Sequence, residues 1–168
     1  MENITLLAAL SFSPFFLTNN PTTNKIMANY YATARSNYFA VKDEMAFRKW
    51  ANGLKLTILG PSHRNKVADG IDRFGTTPDE YAESGWPNFR HNGETGEDDD
   101  DFDLLDELAA HLADDEVAIL MEVGNEKLRY LTGTAIAINN KGETVSVNLE
   151  SIYEAAGVLG CNITAAEY

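Results

Sequence analysis

The chain holds a single cysteine, Cys161, so no disulfide can form within it. A lone thiol fits a reducing compartment, and with no histidine beside it the expectation is a small buried hydrophobe rather than a nucleophile. The three histidines, His63, His91 and His111, form no H-x-x-x-H pair, and a C-x-x-C pair is impossible. A zinc site therefore has no support, and no cofactor is expected. Ser62-His63 lacks a G-x-S-x-G elbow, and Gly60-Pro61-Ser62 is a turn, not a glycine-rich phosphate cradle. No apolar run reaches the roughly 20 residues of a membrane span. The longest, over 4–17, is interrupted by Pro14, and the only charge ahead of it is Glu2, so the basic start of a secretory signal is missing. The expected location is cytoplasmic.

A further absence is local. Between Arg90 and Lys127 there is no lysine or arginine, and this stretch carries fourteen carboxylates: Glu94, Glu97, Asp98, Asp99, Asp100, Asp101, Asp103, Asp106, Glu107, Asp114, Asp115, Glu116, Glu122 and Glu126. The whole chain has formal charge −13, so everything outside these fourteen sums to +1. A concentrated negative field attracts basic surfaces and repels nucleic acid and anionic membranes. The plainer use of acidity is solubility, which scattered charge serves as well as clustered charge.

The residues 4–17 are followed by a polar stretch, 18–25, and strand-like chain begins only after Met27. The expectation is a disordered arm or misassigned start over 1–26, with Met27 as the functional start, and one α+β domain over 27–168. Within it, 30–33 and 37–41 are rich in aromatics and β-formers and read as strands. Asp43 supplies an N-cap, and Ala46, Phe47, Trp50, Ala51 and Leu54 give a helical stripe, with Gly53 as the residue that ends it. A strand over 54–59 stops at Gly60-Pro61. The stretch 61–97 is a long irregular central loop, with short helices expected over 68–74 and 78–83.

Phe102, Leu105, Leu108, Ala109 and Leu112 form the clearest helical stripe, with aspartates at its positive end and His111 as a complementary cation in its last turn. A strand over 116–123 is expected to turn at Gly124-Asn125 into 127–132. Strands over 134–138 and 143–147 follow, joined by the turn Asn139-Asn140-Lys141-Gly142. Asn148 caps a last helix whose apolar face is Leu149, Ile152, Tyr153 and Ala156. This order predicts an α+β fold with a mainly antiparallel sheet, a C-terminal meander and about three helices.

Two surfaces qualify as sites. The first is the partner-binding array Glu94, Glu97, Asp98, Asp99, Asp100, Asp101, Asp103, Asp106, Glu107, Asp114 and Asp115, in which carboxylates spaced along a rigid helix imitate a row of phosphates. The run 98–103 lacks the mid-loop glycine and spaced glutamate of a calcium loop, so it is read as a charge array and not as a metal site. The second surface is Arg35, Ser36, Asn37 and Tyr38. Its aromatics suit base stacking, but the overall field favours an edge strand with Tyr38 or Phe39 in the core. An enzyme using Arg35, Asn37 and carboxylates on a nucleotide-like substrate would need a pocket that joins them.

Two stretches, ANYYATARSNYFAVKD over 28–43 and EVAILMEVGNEKLRYLTG over 116–133, resemble a family of small acidic proteins carried by plasmids, integrative elements and phages. The resemblance spans 27–168 and implies a counter-defence role, such as anti-restriction or anti-CRISPR, and it brings no catalytic residues over to this chain. The implied partner is a basic nucleic-acid-binding protein of a host defence system. The alternative is an accessory protein of a mobile element whose acidity serves solubility alone.

Overall fold

Tyr30–Ser36 forms β1, which enters an antiparallel sheet beside a strand almost ninety residues later in the chain. The structure is a computed structural model, and it describes residues 30–61, 69–79, 85–90, 101–126 and 130–166. The expectations for 1–26, Ser62, His63, His91 and the leader Glu94, Glu97, Asp98, Asp99 and Asp100 lie outside the described residues. After β1 come α1 (Glu44–Gly53), β2 (Leu56–Leu59), β3 (Gly75–Pro78), α2 (Leu104–His111), β4 (Val117–Glu126), β5 (Tyr130–Asn139), β6 (Thr144–Asn148) and α3 (Ser151–Ala155), the last followed by a single 3₁₀ turn, Ala156–Val158. The four-stranded sheet runs β1-β4-β5-β6, and β2 pairs with β3 in a smaller one. All pairings are antiparallel. The fold is α+β with strands dominating, as the sequence predicts.

The sheet buries one face. Ala118 and Leu120 of β4 and Ile138 of β5 join the core cluster with residues of α1 and α2, and Ala34 of β1 is buried on the same face. Phe39, Phe47, Phe74, Leu108 and Leu112 complete the core, and each is less than a twentieth exposed. Burying a side chain of this size contributes about 1.5–3 kcal/mol, so these few residues supply much of the fold's stability. A second cluster, Ala51, Leu54 and Leu56, lies between α1 and β2, with Trp50, Trp86 and Phe102 packed against it.

Several expectations are corrected. The segment 37–41 is a strap between the sheets, making one bridge at Phe39 to Phe74 and another at Val41 to Leu112. Asn37 ends β1 because its side chain occupies the neighbouring strand: Oδ1 accepts from the Ile119 N–H at 2.8 Å and Nδ2 donates to the Val117 carbonyl at 3.0 Å. Gly53 closes α1 as its last helical residue, while the left-handed position is Lys55, with φ 55°. The central stretch contains β3, four residues and too short to show a period. Residues 69–74 are not helical, because Phe74 is drawn into its bridge with Phe39.

The largest difference concerns Gly124, which is expected to turn the chain. Instead it sits buried within β4, paired with Ala32 on one side and Thr132 on the other. Residues 130–132 and 134–138, expected in two strands, are therefore parts of one element, β5, while 127–129 lie outside the described residues. A Cβ at Gly124 would lie 2.6 Å from Tyr30 Oη and 2.7 Å from the Tyr31 carbonyl oxygen, so the glycine allows close approach of β1. Gly124→Ala is expected to lower stability by about 1–3 kcal/mol, read as a shift in the urea midpoint. Adding Tyr30→Phe should recover only part of the loss, because the Tyr31 carbonyl remains in the way.

Candidate functional site

The acidic helix α2 begins with a cap made by its own first aspartate. Asp103 Oδ1 accepts from the N–H groups of Leu105 at 2.8 Å and Asp106 at 3.1 Å. Such a cap contributes about 1 kcal/mol, so Asp103 is part of the helix start as well as of the charge array. Asp106 and Glu107 lie in the first turn, where negative charge opposes the positive end of the helix. Leu108 and Ala109 face the core, which turns Asp106 to solvent and leaves Glu107 half-buried.

The described carboxylates then divide into two groups. Glu107 is held inward: Trp50 Nε1 donates to its Oε2 at 2.7 Å, and Arg90 forms an ion pair with the same oxygen. Arg90 also lies 5.1 Å from the centre of the Phe102 ring, so it clamps the helix entry to the second apolar cluster. Glu116 accepts from Arg73 and, through Oε2, from the Ala40 N–H at 3.0 Å. Arg73 reaches in turn to Asp69, with two bonds of 3.1 and 2.9 Å. Burial pushes Glu116 up, but the hydrogen bonds from Arg73 and Ala40 outweigh that and its carboxyl is lowered overall. The Arg73 side chain, with a lesser contribution from the Ile71 N–H, holds Asp69 down at about 2.

The other group faces water. Asp101, Asp103, Asp106, Asp114 and Asp115 are exposed. Among the described residues, no lysine or arginine pairs with Asp103, Asp106, Asp114 or Asp115. Asp114 accepts from Asn140 Nδ2 at 2.9 Å, tying the turn after α2 to the β5–β6 turn. Asp115 has φ 61°, a conformation in which aspartate and asparagine are tolerated.

His111 corrects an expectation. It closes α2, but it lies against Phe47 and Trp50, with ring centres 5.9 and 5.1 Å away. Burial lowers its pKa, with the carboxylates of Glu107 and Asp43 acting in the opposite sense. Its main contribution is packing as a neutral ring. Lys42 supplies the cation at this helix end, donating from Nζ to the Ala110 carbonyl at 3.2 Å.

The second surface resolves into two roles. Ser36 is buried, and its Oγ accepts from the Thr76 N–H at 2.7 Å, joining β1 to β3. Asn37 is the strand-ending side chain described above. Arg35 donates to Tyr38 Oη at 3.1 Å on the surface, and no described carboxylate pairs with it. Phe39, the neighbour expected in the core, is fully buried. The four residues therefore do not converge on a cleft.

A further polar cluster, not foreseen from the sequence, gathers at Glu122. Glu122 accepts from Tyr30 Oη at 2.6 Å and from the Trp86 N–H at 2.8 Å, and Trp86 Nε1 donates to the Met121 carbonyl at 3.2 Å. Burial first, then the Glu122 carboxylate, raises the Tyr30 pKa, so the phenol remains a donor. The cluster fastens 85–90 to the sheet. Among the described residues, no group of histidine, cysteine, aspartate and glutamate is placed to hold a metal, and no helix is long and apolar enough to cross a membrane. Comparison with family models, with curated proteins and with solved structures returns no match.

Proposed function

We propose that the protein is a non-catalytic acidic binding protein whose working surface is the carboxylate array running from Glu94 to Asp115. Its partner is the basic, nucleic-acid-binding face of a cytoplasmic host defence protein, engaged in the anti-restriction or anti-CRISPR manner that the resemblance implies. The observation that supports this is the division of the carboxylates. Arg90 pairs with Glu107, and Arg73 with Glu116 and Asp69, while Asp103, Asp106, Asp114 and Asp115 stand exposed with no basic side chain among the described residues against them.

A magnitude limits the reading. Eight residues of helix are about 12 Å long, and duplex DNA carries about seven charges over that distance. Asp103, Asp106 and Glu107 fall short of that density, and Glu107 is already paired. Imitation of a phosphate row therefore requires Glu94, Glu97, Asp98, Asp99 and Asp100 as well.

The test is capture from a host carrying restriction and CRISPR systems at two salt concentrations, followed by titration of each captured protein in competition with labelled duplex DNA. The informative variant changes Asp98, Asp99, Asp100, Asp101, Asp106 and Asp115 to asparagine. Asp103 stays because it caps α2, and asparagine suits the left-handed backbone at 115. Exposed charges contribute about 0.2–0.5 kcal/mol each, so six together should weaken binding by about 10–100-fold near 0.15 M salt. The variant should also lose most of the salt dependence. Equal affinity for the variant, or partners that do not bind nucleic acid, would exclude the proposal.

A further inference from the structure

The C-terminal part of the fold buries almost nothing. Every residue of β6 is exposed, Val145 by 73% and Val147 by 59%, and α3 buries no side chain. Leu149, Ile152, Val158 and Leu159 are exposed as well, and so is Cys161, which corrects the expectation of a buried thiol. The apolar face expected for the last helix exists, but nothing described covers it. A helix of five residues has no stability of its own in water and depends on tertiary packing.

The backbone of β6 is open in the same place. It is the end strand of the sheet, and the Asn139 N–H donates to the Glu143 carbonyl while the Leu149 N–H donates to the Gly133 carbonyl. Antiparallel alternation then directs residues 143, 145, 147 and 149 towards β5, and leaves Thr144, Ser146 and Asn148 with N–H and C=O groups pointing outward, the Asn148 carbonyl also accepting from Ser151 Oγ. The strand carries no charge, proline or bulge, the usual devices that protect an edge.

We infer that β6 pairs with β6 of a second copy of this chain, antiparallel about a two-fold axis at Ser146, to make one continuous eight-stranded sheet. The edge is self-complementary in this register. Thr144 bonds to Asn148 of the second copy, and Ser146 bonds to its own equivalent. Val145 stands directly opposite Val147, so four valines form a patch across the axis. Directly opposed side chains of this kind come within about 4.5–5.5 Å at Cβ.

At each end of the pairing Lys141 of one copy arrives beside the chain entering α3 of the other, where Glu150 and Glu154 lie, and offsets the approach of Glu143 to the same carboxylates. The acidic helix α2 packs on the covered face of the sheet, whereas Val145 and Val147 project from the opposite face. The two acidic surfaces therefore do not meet at the axis. Area sets the extent of the contact. Five residues of strand give an edge of about 17 Å, too little for a stable dimer, which buries about 800 Å² per partner. The exposed Leu149, Ile152, Val158 and Leu159 supply the remainder when α3 and the 3₁₀ turn pack across the axis.

Sedimentation equilibrium of the full chain tests this, with an expected mass of twice 18.5 kDa. Ser146→Pro removes an outward N–H without breaking the ladder to β5, so it should give a folded monomer with an unchanged circular dichroism spectrum. Val123→Lys, on the same open sheet face but on β4, should remain dimeric. If Val123→Lys is the monomer and Ser146→Pro the dimer, the sheets pack face to face and edge pairing is wrong. Ser146→Cys in a Cys161→Ser background is the independent check. A hydrogen-bonded pair places the two Cα atoms about 5.5 Å apart, within disulfide range, so mild oxidation should give a crosslinked dimer. A monomeric wild-type chain whose β6 amides are protected from exchange would mean that the chain's own residues cover the edge, and would overturn the inference.

Discussion

Phe47→Ala is expected to lower the stability by about 3–5 kcal/mol, read as a large fall in the urea midpoint. The reason is the number of elements that meet on this ring. Phe47 is fully buried; it lies edge-on to Phe39 of the strap at 5.8 Å between centres and stacks on Trp50 at 5.7 Å. It also meets Phe74 at 6.5 Å and His111 of α2 at 5.9 Å. Alanine would leave a cavity walled by four rings, one on α1 itself and three on other segments, none able to collapse without moving the others. A loss of that size is a large fraction of the 5–15 kcal/mol typical of a whole domain. Met45→Ala on the same helix, at a position 83% exposed, should change stability by no more than about 0.5 kcal/mol. A similar loss for both would mean that enclosure of the ring in the aromatic core does not set the cost. The His111 ring would also become more accessible to water in Phe47→Ala, so its lowered pKa should rise towards the ordinary histidine value in an NMR titration.

The features legible in the sequence were those whose cause lies within a few residues. The Asp43 cap is a contact with the Ala46 N–H, and the side chain of Asn148 reaches the Ser151 N–H in the same way. The turn after Asn139 closes through the Gly142 N–H, with Gly142 at φ 80°. The stripe of α2 has both its cause and its period in one short stretch. The errors share the opposite property. Gly124 looks like a turn residue, but Tyr30 and Tyr31, more than ninety positions earlier, dictate it. The Glu122 cluster joins residues 92 and 36 positions apart, and Ser36 meets Thr76 across 40. Cys161 and the face of α3 were expected inside because an apolar stripe ordinarily implies a cover, and the cover is absent from the described chain. The acidic array was legible as charge. Which carboxylates it loses to internal partners was not, because Arg90 and Arg73 select theirs through the fold.

Arg73→Met should cost about 2–3 kcal/mol near neutral pH, and the cost should shrink in acid. Arg73 is 11% exposed and Glu116 15%, so the methionine variant leaves Glu116 charged and nearly enclosed, with the Ala40 N–H as its remaining described donor. Breaking a buried pair from one side costs about 3–5 kcal/mol, and partial contact with water at this site reduces that figure. The sign of the pH dependence follows from the wild-type shifts. Both Asp69 and Glu116 titrate below their ordinary values in the fold, Asp69 at about 2. The stability they contribute is present above the unfolded-state pKa near 4 and is lost as the pH falls through the folded values. In the variant the arginine no longer opposes burial, so the Glu116 carboxyl titrates higher and the variant gains stability on protonation while the wild type is losing it. The two denaturation midpoints should therefore converge between about pH 5 and pH 2. His111 titrates in both proteins and cancels in the difference. A gap that stays constant from pH 7 to pH 3 would show that Arg73 acts through the packing of its aliphatic stem, and that the Asp69–Arg73–Glu116 network contributes nothing by its charge.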